Sequence, residues 1–378
     1  MPTTFLNIAG AVGLLLAAQN AVAAAPAASP AQPKILVVVS SESRDEGKTR
    51  AGFEMSEFSQ AWAIFRDNGY AVDVASPAGG RVEADRYNPK EPFNARVLAD
   101  PDAVGKLAAT LPTAKVRPGD YSAIYIVGGK GAMFDLPVDP ALKSITASVY
   151  ERGGVVSAVC HGPAAFVDVR LSNGDLLVKG KRLTGLTNEE ETVLGKKWIK
   201  EFRFLLEDAM RERGARWEEA PLMMPKLVVD GRLVTGQNLF STPAVAEAVV
   251  HALGREPVAR QPWRDEASMR LVQTLLDGKH DEAHAALAEE PERYHVKLIG
   301  MLGYYQLKAV QTDAEVRNAL AIMELARPYM TDPQLGVGIA EARWRLGERD
   351  EARRLIAGVL QAHPELAEAK MLQTRMDD

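Results

Sequence analysis

Two kinds of hydrophobic pattern alternate along the chain between residues 34 and 257. Uninterrupted runs of β-branched and small apolar residues predict short strands that are buried on both faces of a sheet. Such runs lie at 35–39, 71–75, 123–127 and 153–159. Between the first two runs, apolar residues recur at helical spacing, which predicts an amphipathic helix over 53–68. Strands that alternate with helices indicate a mostly parallel α/β sheet with helices on both faces.

A hairpin is predicted near the end of this region. Two short β-branched runs, 227–229 and 233–234, flank Asp230-Gly231, which is a strong signal for a tight turn between antiparallel strands. In open α/β sheets, ligands bind at the carboxyl ends of the parallel strands. Gly128-Gly129 and Cys160 both follow predicted strands directly, so we expect them to lie at that edge.

The pattern changes after Arg260, where strand signals stop and only helical patterns remain. The stretch Gly278-Lys279-His280-Asp281-Glu282-Ala283 recurs at 347–352, with a degenerate copy at 312–315 between them. This spacing corresponds to two periods of about 34 residues and resembles tetratricopeptide repeats. We therefore predict a helical domain over 260–378 whose concave face could bind a protein or peptide partner. A plain α-helical bundle is the alternative.

The first residues of the chain have the character of an export signal. Residues 8–18 are apolar and of signal-peptide length, and Ala21-Val22-Ala23 supplies a small-residue cleavage pattern. We predict a signal peptide over 1–24, an Ala/Pro-rich linker over 25–33, and a periplasmic or secreted protein. The net charge of −5 and the pI near 5.8 argue against a nucleic-acid partner.

The chain contains one cysteine, Cys160, which comes directly after a predicted buried strand. His161 is next, and Gly162-Pro163 then favours a tight turn that opens a helix. A strand, a sharp turn and a helix form a nucleophile elbow, which raises one side chain above the sheet. We expect the helix N-terminus to lower the pKa of the Cys160 thiol. The alternative is that Cys160 is a small core side chain.

A catalytic thiol needs a base, and the chain has six histidines. Four lie beyond residue 275 and His251 lies in the helix that ends the α/β region, so His161 is the candidate base. A carboxylate is then needed to orient the imidazole. The candidates that follow a predicted strand are Glu189, Glu190 and Glu191. The helix over 53–68 offers a second carboxylate, either Glu54 or Glu57.

Several motifs follow one another in order between residues 34 and 253. They are the helix of 52–69, Ser76-Pro77-Ala78-Gly79-Gly80, Gly128-Gly129-Lys130-Gly131, the elbow at Cys160, Thr184-Gly185-Leu186-Thr187-Asn188 and Thr235-Gly236-Gln237-Asn238. Together they resemble the ThiJ/PfpI superfamily of class I glutamine-amidotransferase-like proteins, in particular its heat-shock-chaperone and glyoxalase III branch. The resemblance implies a flavodoxin-like three-layer sandwich over 34–257, with the nucleophile elbow in it.

The resemblance also implies roles for particular residues. Cys160 would be the nucleophile, Glu57 the buried carboxyl that contacts the thiol, and His161 the residue that relays protons. The acid that orients His161 would be Glu191, with Glu190 as the second choice. The residues that would hold the substrate or its oxyanion are Gly128, Gly129, Lys130 and Asn238.

The implied reaction converts an α-oxoaldehyde such as methylglyoxal into a 2-hydroxy acid. No metal, glutathione or other cofactor is expected, and relatives of this kind imply a homodimer. Two alternatives stay open. One is an amidase- or peptidase-like hydrolase that acts on small amide substrates, and the other is a non-enzymatic chaperone or scaffold that acts through the helical repeats.

Overall fold

A seven-stranded sheet forms the centre of the α/β region in the computed structural model, which describes residues 1–4, 33–195 and 197–377. The strands are β1 (Lys34–Val38), β2 (Ala71–Ser76), β3 (Leu111–Pro112), β4 (Ala123–Ile126), β5 (Val155–Val159), β6 (Arg182–Leu183), β7 (Arg216–Trp217), β8 (Leu227–Asp230) and β9 (Leu233–Gly236). The sheet order is β3-β2-β1-β4-β5-β9-β8, and β6 pairs with β7 in a separate ribbon. Only β8 and β9 pair in antiparallel orientation within the large sheet. The alternating pattern thus predicted the sheet type correctly.

Helices cover both faces of the sheet. They are α1 (Met55–Asp67), α2 (Pro92–Leu98), α3 (Pro101–Ala108), α4 (Pro140–Glu151), α5 (Asn188–Leu194), α6 (Leu206–Glu212) and α7 (Thr242–Ala252). On one face, α1 and α7 share a buried cluster with β1 and β4, to which Phe58, Phe65 and Val249 belong. On the other face, α4 and α6 form a second cluster that includes Ile145 and Met210. The result is the predicted three-layer arrangement.

The residues explain why these elements form. All but the first residue of β1 is buried, as expected for a strand covered on both faces. In α1, Phe58 and Trp62 lie one helical turn apart and their rings stack with centroids 5.6 Å apart. Gly231 has φ of +62°, the left-handed conformation that the turn between β8 and β9 requires. The hairpin prediction is therefore confirmed.

In the described chain after residue 260, all regular secondary structure is helical, and the α-helices are joined by turns and short 3₁₀ segments. The α-helices are α8 (Arg264–Leu276), α9 (His280–Glu289), α10 (Val296–Ala309), α11 (Asp313–Ala326), α12 (Pro333–Arg345), α13 (Arg349–Ala362) and α14 (Ala367–Asp377). Gly278 and Gly347, from the two copies of the recurring motif, both have left-handed φ, +84° and +83°, just after α8 and α12. The helical extension is confirmed, and its relation to tetratricopeptide repeats stays a prediction.

The helical region packs against the α/β region. Trp263, just before α8, meets Phe93 of α2 edge to face with ring centroids 5.6 Å apart. Nearby, Arg260 forms an ion pair of 2.8 Å with Glu247 of α7. Residues Pro33–Asp378 accordingly form one compact unit.

The edges of the large sheet are short or covered. At one end, β3 contains only two residues, the second of which is Pro112. At the other end, the guanidinium of Arg182 donates to the carbonyl of Val229 in β8 at 3.1 Å. The backbone N–H of Arg182 donates to the Asp230 carboxylate at 2.9 Å. Both edges therefore lack a continuous row of open backbone groups.

The predicted signal peptide, residues 1–24, and the predicted linker, residues 25–33, fall almost entirely on residues 5–32, which lie outside the described residues. In the described ranges, no helix combines the length and the apolar character that crossing a membrane requires.

Candidate active site

Cys160 stands at the turn that follows β5. Its φ is +59°, a left-handed conformation that is uncommon for a residue with a side chain and typical of a strained elbow. Two backbone hydrogen bonds of 2.9 Å hold this conformation: the N–H of Cys160 donates to Gly236, and the carbonyl accepts from Leu186. The residue is 8% exposed, so a substrate of small cross-section is needed to reach the thiol.

The imidazole of His161 connects the thiol to a carboxylate. The Cys160 sulfur lies 3.5 Å from Nδ1 of His161, and Nε2 of the same ring lies 2.7 Å from Oε2 of Glu191. Both side chains are buried, and the ring of Phe202 packs edge-on against the imidazole with centroids 5.9 Å apart. The structure thus brings Cys160, His161 and Glu191 together in a chain of contacts.

The capping of α5 separates the three glutamates that follow Thr187. Thr187 and Glu190 form a capping box, in which the Thr187 side chain accepts from the N–H of Glu190. Glu190 therefore turns back towards the start of the helix. Glu189 is exposed, and Glu191 on the next position points at the imidazole. Among the three, Glu191 is the one that contacts His161.

The Glu57 carboxyl also interacts with the thiol. It is fully buried in the first turn of α1, and its Oε2 accepts from the N–H of Gly128 at 2.6 Å. Burial raises the pKa of Glu57 well above its ordinary value, and the charge of Glu54 adds to this rise. Glu54 itself caps α1 through the N–H of Ser56. A carboxyl with a raised pKa can hold a proton at neutral pH and pass it to a neighbour.

The expected lowering of the Cys160 pKa is wrong. Burial raises the pKa of the thiol well above its ordinary value, and the neighbouring Glu57 carboxyl raises it further. The segment after Cys160 is a 3₁₀ turn, Gly162–Phe166, rather than an α-helix, so the helix dipole on which the expectation rested is absent from this segment. The N–H of Gly129 opposes the rise without cancelling it. Burial and the Glu57 carboxyl thus both favour the protonated form of the thiol.

The loop after β4 needs its glycines because it touches the elbow. A Cβ on Gly128 would lie 2.8 Å from Cβ of Cys160, and a Cβ on Gly129 would lie 2.5 Å from the Glu54 nitrogen. Gly129 also has φ of +88°. The glycines let two backbone N–H groups approach: that of Gly128 binds Glu57, and that of Gly129 interacts with the thiol. The predicted oxyanion role of Gly128 therefore does not hold, because its N–H is taken by Glu57, whereas the N–H of Gly129 next to the thiol suits a developing oxyanion.

Lys130 follows these glycines and is half-buried. Its charge lowers the pKa of both Glu54 and Asp85, although burial raises both of these pKa values overall. Asp85 accepts from the N–H of Gly52 at 2.6 Å and also interacts with His161. Asp85 was part of no site prediction, although it follows the Gly79-Gly80 motif closely in the sequence. The Lys130 ammonium group therefore interacts electrostatically with the Glu54 and Asp85 carboxyls.

Asn238 was predicted to hold the substrate, but its side-chain amide is bonded within the protein. Its Nδ2 donates to Oε1 of Glu190 at 2.8 Å and to the carbonyl of Met224 at 2.9 Å. Its Oδ1 accepts from the N–H of Phe240 and from the hydroxyl of Ser241. Each donor and acceptor of the amide is thereby used inside the protein, which makes Asn238 a support for Glu190.

A buried aspartate, Asp135, is a further group that the sequence argument left without a role. It lies after the glycine loop, is 9% exposed, and accepts from the N–H of Ser41 at 2.6 Å. Burial raises the pKa of Asp135 to about 7. It ties the chain after β1 to the loop that approaches the thiol. The described residues contain no group of three or more His, Cys, Asp or Glu side chains that could hold a metal ion.

One protein-family model covers the part of the chain that carries this site. The model of the DJ-1/PfpI family matches residues 49–252, which include Glu57, Cys160, His161 and Glu191. The chain belongs to the DJ-1/PfpI family. The match ends before the helical region begins at α8, so the helices after residue 260 are an addition to the DJ-1/PfpI domain of this chain.

Relatives of this DJ-1/PfpI domain are glyoxalases. A glutathione-independent glyoxalase of Schizosaccharomyces pombe is 31% identical over 219 residues, which is 53% of this chain and 86% of the relative. A glutathione-independent glyoxalase of Saccharomyces cerevisiae is 31% identical over 54% of this chain and 90% of its own length. The crystal structure of glyoxalase III from Candida albicans superposes with a TM-score of 0.53 at 32% identity, covering 58% of this chain and 97% of that structure.

Proposed function

We propose that this protein is an exported, cysteine-dependent enzyme that converts α-oxoaldehydes into 2-hydroxy acids without glutathione. The observation that carries the proposal is the buried contact chain from the Cys160 thiol through His161 to Glu191, with a Glu57 carboxyl of raised pKa that also interacts with the thiol. The glyoxalase relatives support the reaction class.

In the first step the thiol attacks the aldehyde carbon. The proton leaves sulfur for Nδ1 of His161, 3.5 Å away, and the imidazolium that forms is stabilised by the Glu191 carboxylate. A carbon–sulfur bond forms while the carbonyl π bond breaks, which leaves an oxyanion on the former aldehyde oxygen. The N–H groups of Gly129 and His161 are the donors we assign to that oxygen, which then takes a proton and completes a hemithioacetal.

In the second step hydrogen moves between adjacent carbons. A base removes the proton on the former aldehyde carbon, and a proton is returned to the neighbouring carbon, so the hemithioacetal becomes a 2-hydroxy thioester. Glu57 and His161 are the two groups beside the sulfur that can exchange protons in this way. Water then cleaves the carbon–sulfur bond, which releases the 2-hydroxy acid and restores the thiol.

The entrance to the site favours a small substrate. Cys160 as a whole residue is only 8% exposed, and the ring of Phe202 packs against the imidazole. Lys130 places a cation near carboxyls of Glu54 and Asp85 at the same end of the sheet. A short, neutral dicarbonyl such as methylglyoxal meets these constraints, and the cation suits the carboxylate that the reaction produces.

Export is the part of the proposal that rests on sequence alone. The apolar stretch at 8–18 and the small residues at 21–23 support a signal peptide over 1–24. A periplasmic or secreted location follows from it.

The proposal is tested by following lactate formation from methylglyoxal without added glutathione, on the purified protein and on Cys160→Ala. We expect turnover by the wild type and none above background by the variant. The chain has a single cysteine, so alkylation by iodoacetamide reports on Cys160 alone. A wild type that is inactive while Cys160 alkylates readily would refute the glyoxalase assignment and point to amide or ester substrates. Lactate formation that survives in Cys160→Ala would refute the thiol mechanism.

A further inference from the structure

One short segment of the α/β region, residues 220–224, is held by the helical region. Met224 is 2% exposed and belongs to the hydrophobic cluster formed by α8, α10 and α11. Gln306 of α10 is 4% exposed, and its Nε2 donates to the carbonyl of Leu222 at 2.9 Å. The segment therefore has one apolar and one polar anchor among helices that lie outside the matched family domain.

The other side of the same segment holds Glu190. The N–H of Met223 donates to Oε1 of Glu190 at 3.0 Å, and Asn238 bridges this oxygen to the carbonyl of Met224. Met223 has φ of +64°, a conformation that a side chain disfavours and that persists only where surrounding contacts impose it. Gln306 and Met224 contribute such contacts on either side of Met223, and Gln237 of the α/β region binds Ala220 at the start of the segment.

Glu190 in turn fixes the first turn of α5. Its Oε2 accepts from the N–H of Thr187 at 3.2 Å, which completes the capping box. Glu191 is the next residue, so any shift of Glu190 moves Glu191, whose carboxylate lies 2.7 Å from the His161 imidazole. A short series of buried contacts thus connects the helical region to His161, the candidate catalytic base.

We propose that Gln306 is a positioning residue of the Cys160 site: by holding residues 220–224 it fixes Glu190 and the first turn of α5, which presents Glu191 to His161. Without its donor, the buried carbonyl of Leu222 loses its partner and the segment relaxes towards a less strained backbone. Misplacement of catalytic groups by about 1 Å can reduce turnover by on the order of 10²-fold. A smaller shift, transmitted over several bonds, should cost about tenfold.

Two variants of Gln306 and one control test this inference. Gln306→Met keeps the length of the side chain and removes the donor. Gln306→Glu also removes the donor at neutral pH but regains one when its buried carboxyl is protonated, so its defect should shrink as the pH falls. The control is Gln273→Met on α8, where the glutamine is exposed and bonds only to Asp277 in the loop just after that helix.

The readouts separate positioning from stability and from the choice of substrate. For methylglyoxal, Gln306→Met should lower kcat about tenfold with KM unchanged. The pH midpoint of Cys160 alkylation should rise by about one unit, because a displaced Glu191 supports the imidazolium less well, and one unit corresponds to tenfold. Gln273→Met should leave both quantities at the wild-type values.

Of these readouts, only the kinetic constants for methylglyoxal depend on the proposed glyoxalase function, so failure of that function can be told apart from failure of this inference. If the wild type does not turn over methylglyoxal, a shifted alkylation midpoint in Gln306→Met still supports the positioning role while the glyoxalase proposal fails. If Gln306→Met melts at a lower temperature but keeps the wild-type kcat and alkylation profile, the inference is overturned. A defect in Gln306→Glu that is the same at pH 5.5 and pH 8 would also overturn it.

Discussion

Replacing Asp135 by asparagine should change how the stability of the protein depends on pH. The aspartate is 9% exposed, and its Oδ2 accepts from the N–H of Ser41 at 2.6 Å. An asparagine of the same shape keeps an oxygen for this hydrogen bond but cannot ionise. The substitution therefore removes one buried titration while it keeps the contact between the end of β1 and the glycine loop.

The size of the effect follows from the pKa of Asp135. Burial raises it from 3.8 to about 7 in the folded protein, so the folded state binds a proton more tightly than the unfolded state. This contribution to the free energy of unfolding is fully present below pH 4 and is lost as the pH rises through 7. At 1.36 kcal/mol per unit it amounts to roughly 4 kcal/mol, of which roughly 2.5 kcal/mol is lost between pH 5 and pH 8.

Urea unfolding followed by tryptophan fluorescence at pH 5 and pH 8 measures this difference. Relative to the wild type, Asp135→Asn should be more stable at pH 8 than at pH 5 by roughly 2.5 kcal/mol. Glu190, whose pKa is also raised by burial to about 7, contributes a loss of the same sign in both proteins and cancels in the comparison. An exposed aspartate of α9, replaced as Asp281→Asn, is the control. If the difference in unfolding free energy between Asp135→Asn and the wild type is the same at both pH values, Asp135 is ionised in the folded protein from pH 5 to pH 8, and the reasoning is refuted.

Two further predictions concern the triad and export. Glu191→Gln should fold normally but lose on the order of 10²- to 10⁴-fold in kcat for methylglyoxal, because an amide cannot stabilise the His161 imidazolium; steady-state kinetics measure this, and a loss of less than threefold would remove Glu191 from the mechanism. Protein expressed in a bacterial host should be recovered from the periplasm with Ala25 as its first residue, as N-terminal sequencing would show. Recovery from the cytoplasm with Met1 intact would contradict the signal peptide.

The sequence carried enough information to predict the sheet and the elbow. Strands such as β1 are buried on both faces, so their unbroken apolar runs stand out, and the turn at Asp230-Gly231 has a composition that few other structures require. The resemblance carried by the motifs around Cys160 indicated Glu57, His161 and Glu191 as members of one site. His161 follows β5 and Glu57 lies in the helix after β1, both strands of the large sheet, whereas Glu191 lies in α5, which follows β6 of the separate ribbon.

The remaining features depend on tertiary contacts that local patterns do not encode. The pKa of Cys160 is set by burial and by Glu57, which lies far away in the chain. The partners of Asn238 come from α5 and from the segment that the helical region holds, so its motif suggested a substrate contact where the fold needed a support. Asp135 follows shortly after the motif at 128–131, yet only the depth of its burial reveals its raised pKa.

The short or covered edge strands of the large sheet limit how two copies of this protein can associate. A two-residue strand ending in Pro112, which has no N–H to offer, cannot template a strand from another chain. At the opposite edge Arg182 already occupies the carbonyl of Val229. Intermolecular strand addition, the first step of many cross-β aggregates, is thus opposed at both ends. The homodimer predicted from the sequence would accordingly join through helices or loops, and a dimer formed by extending the sheet across both subunits is disfavoured.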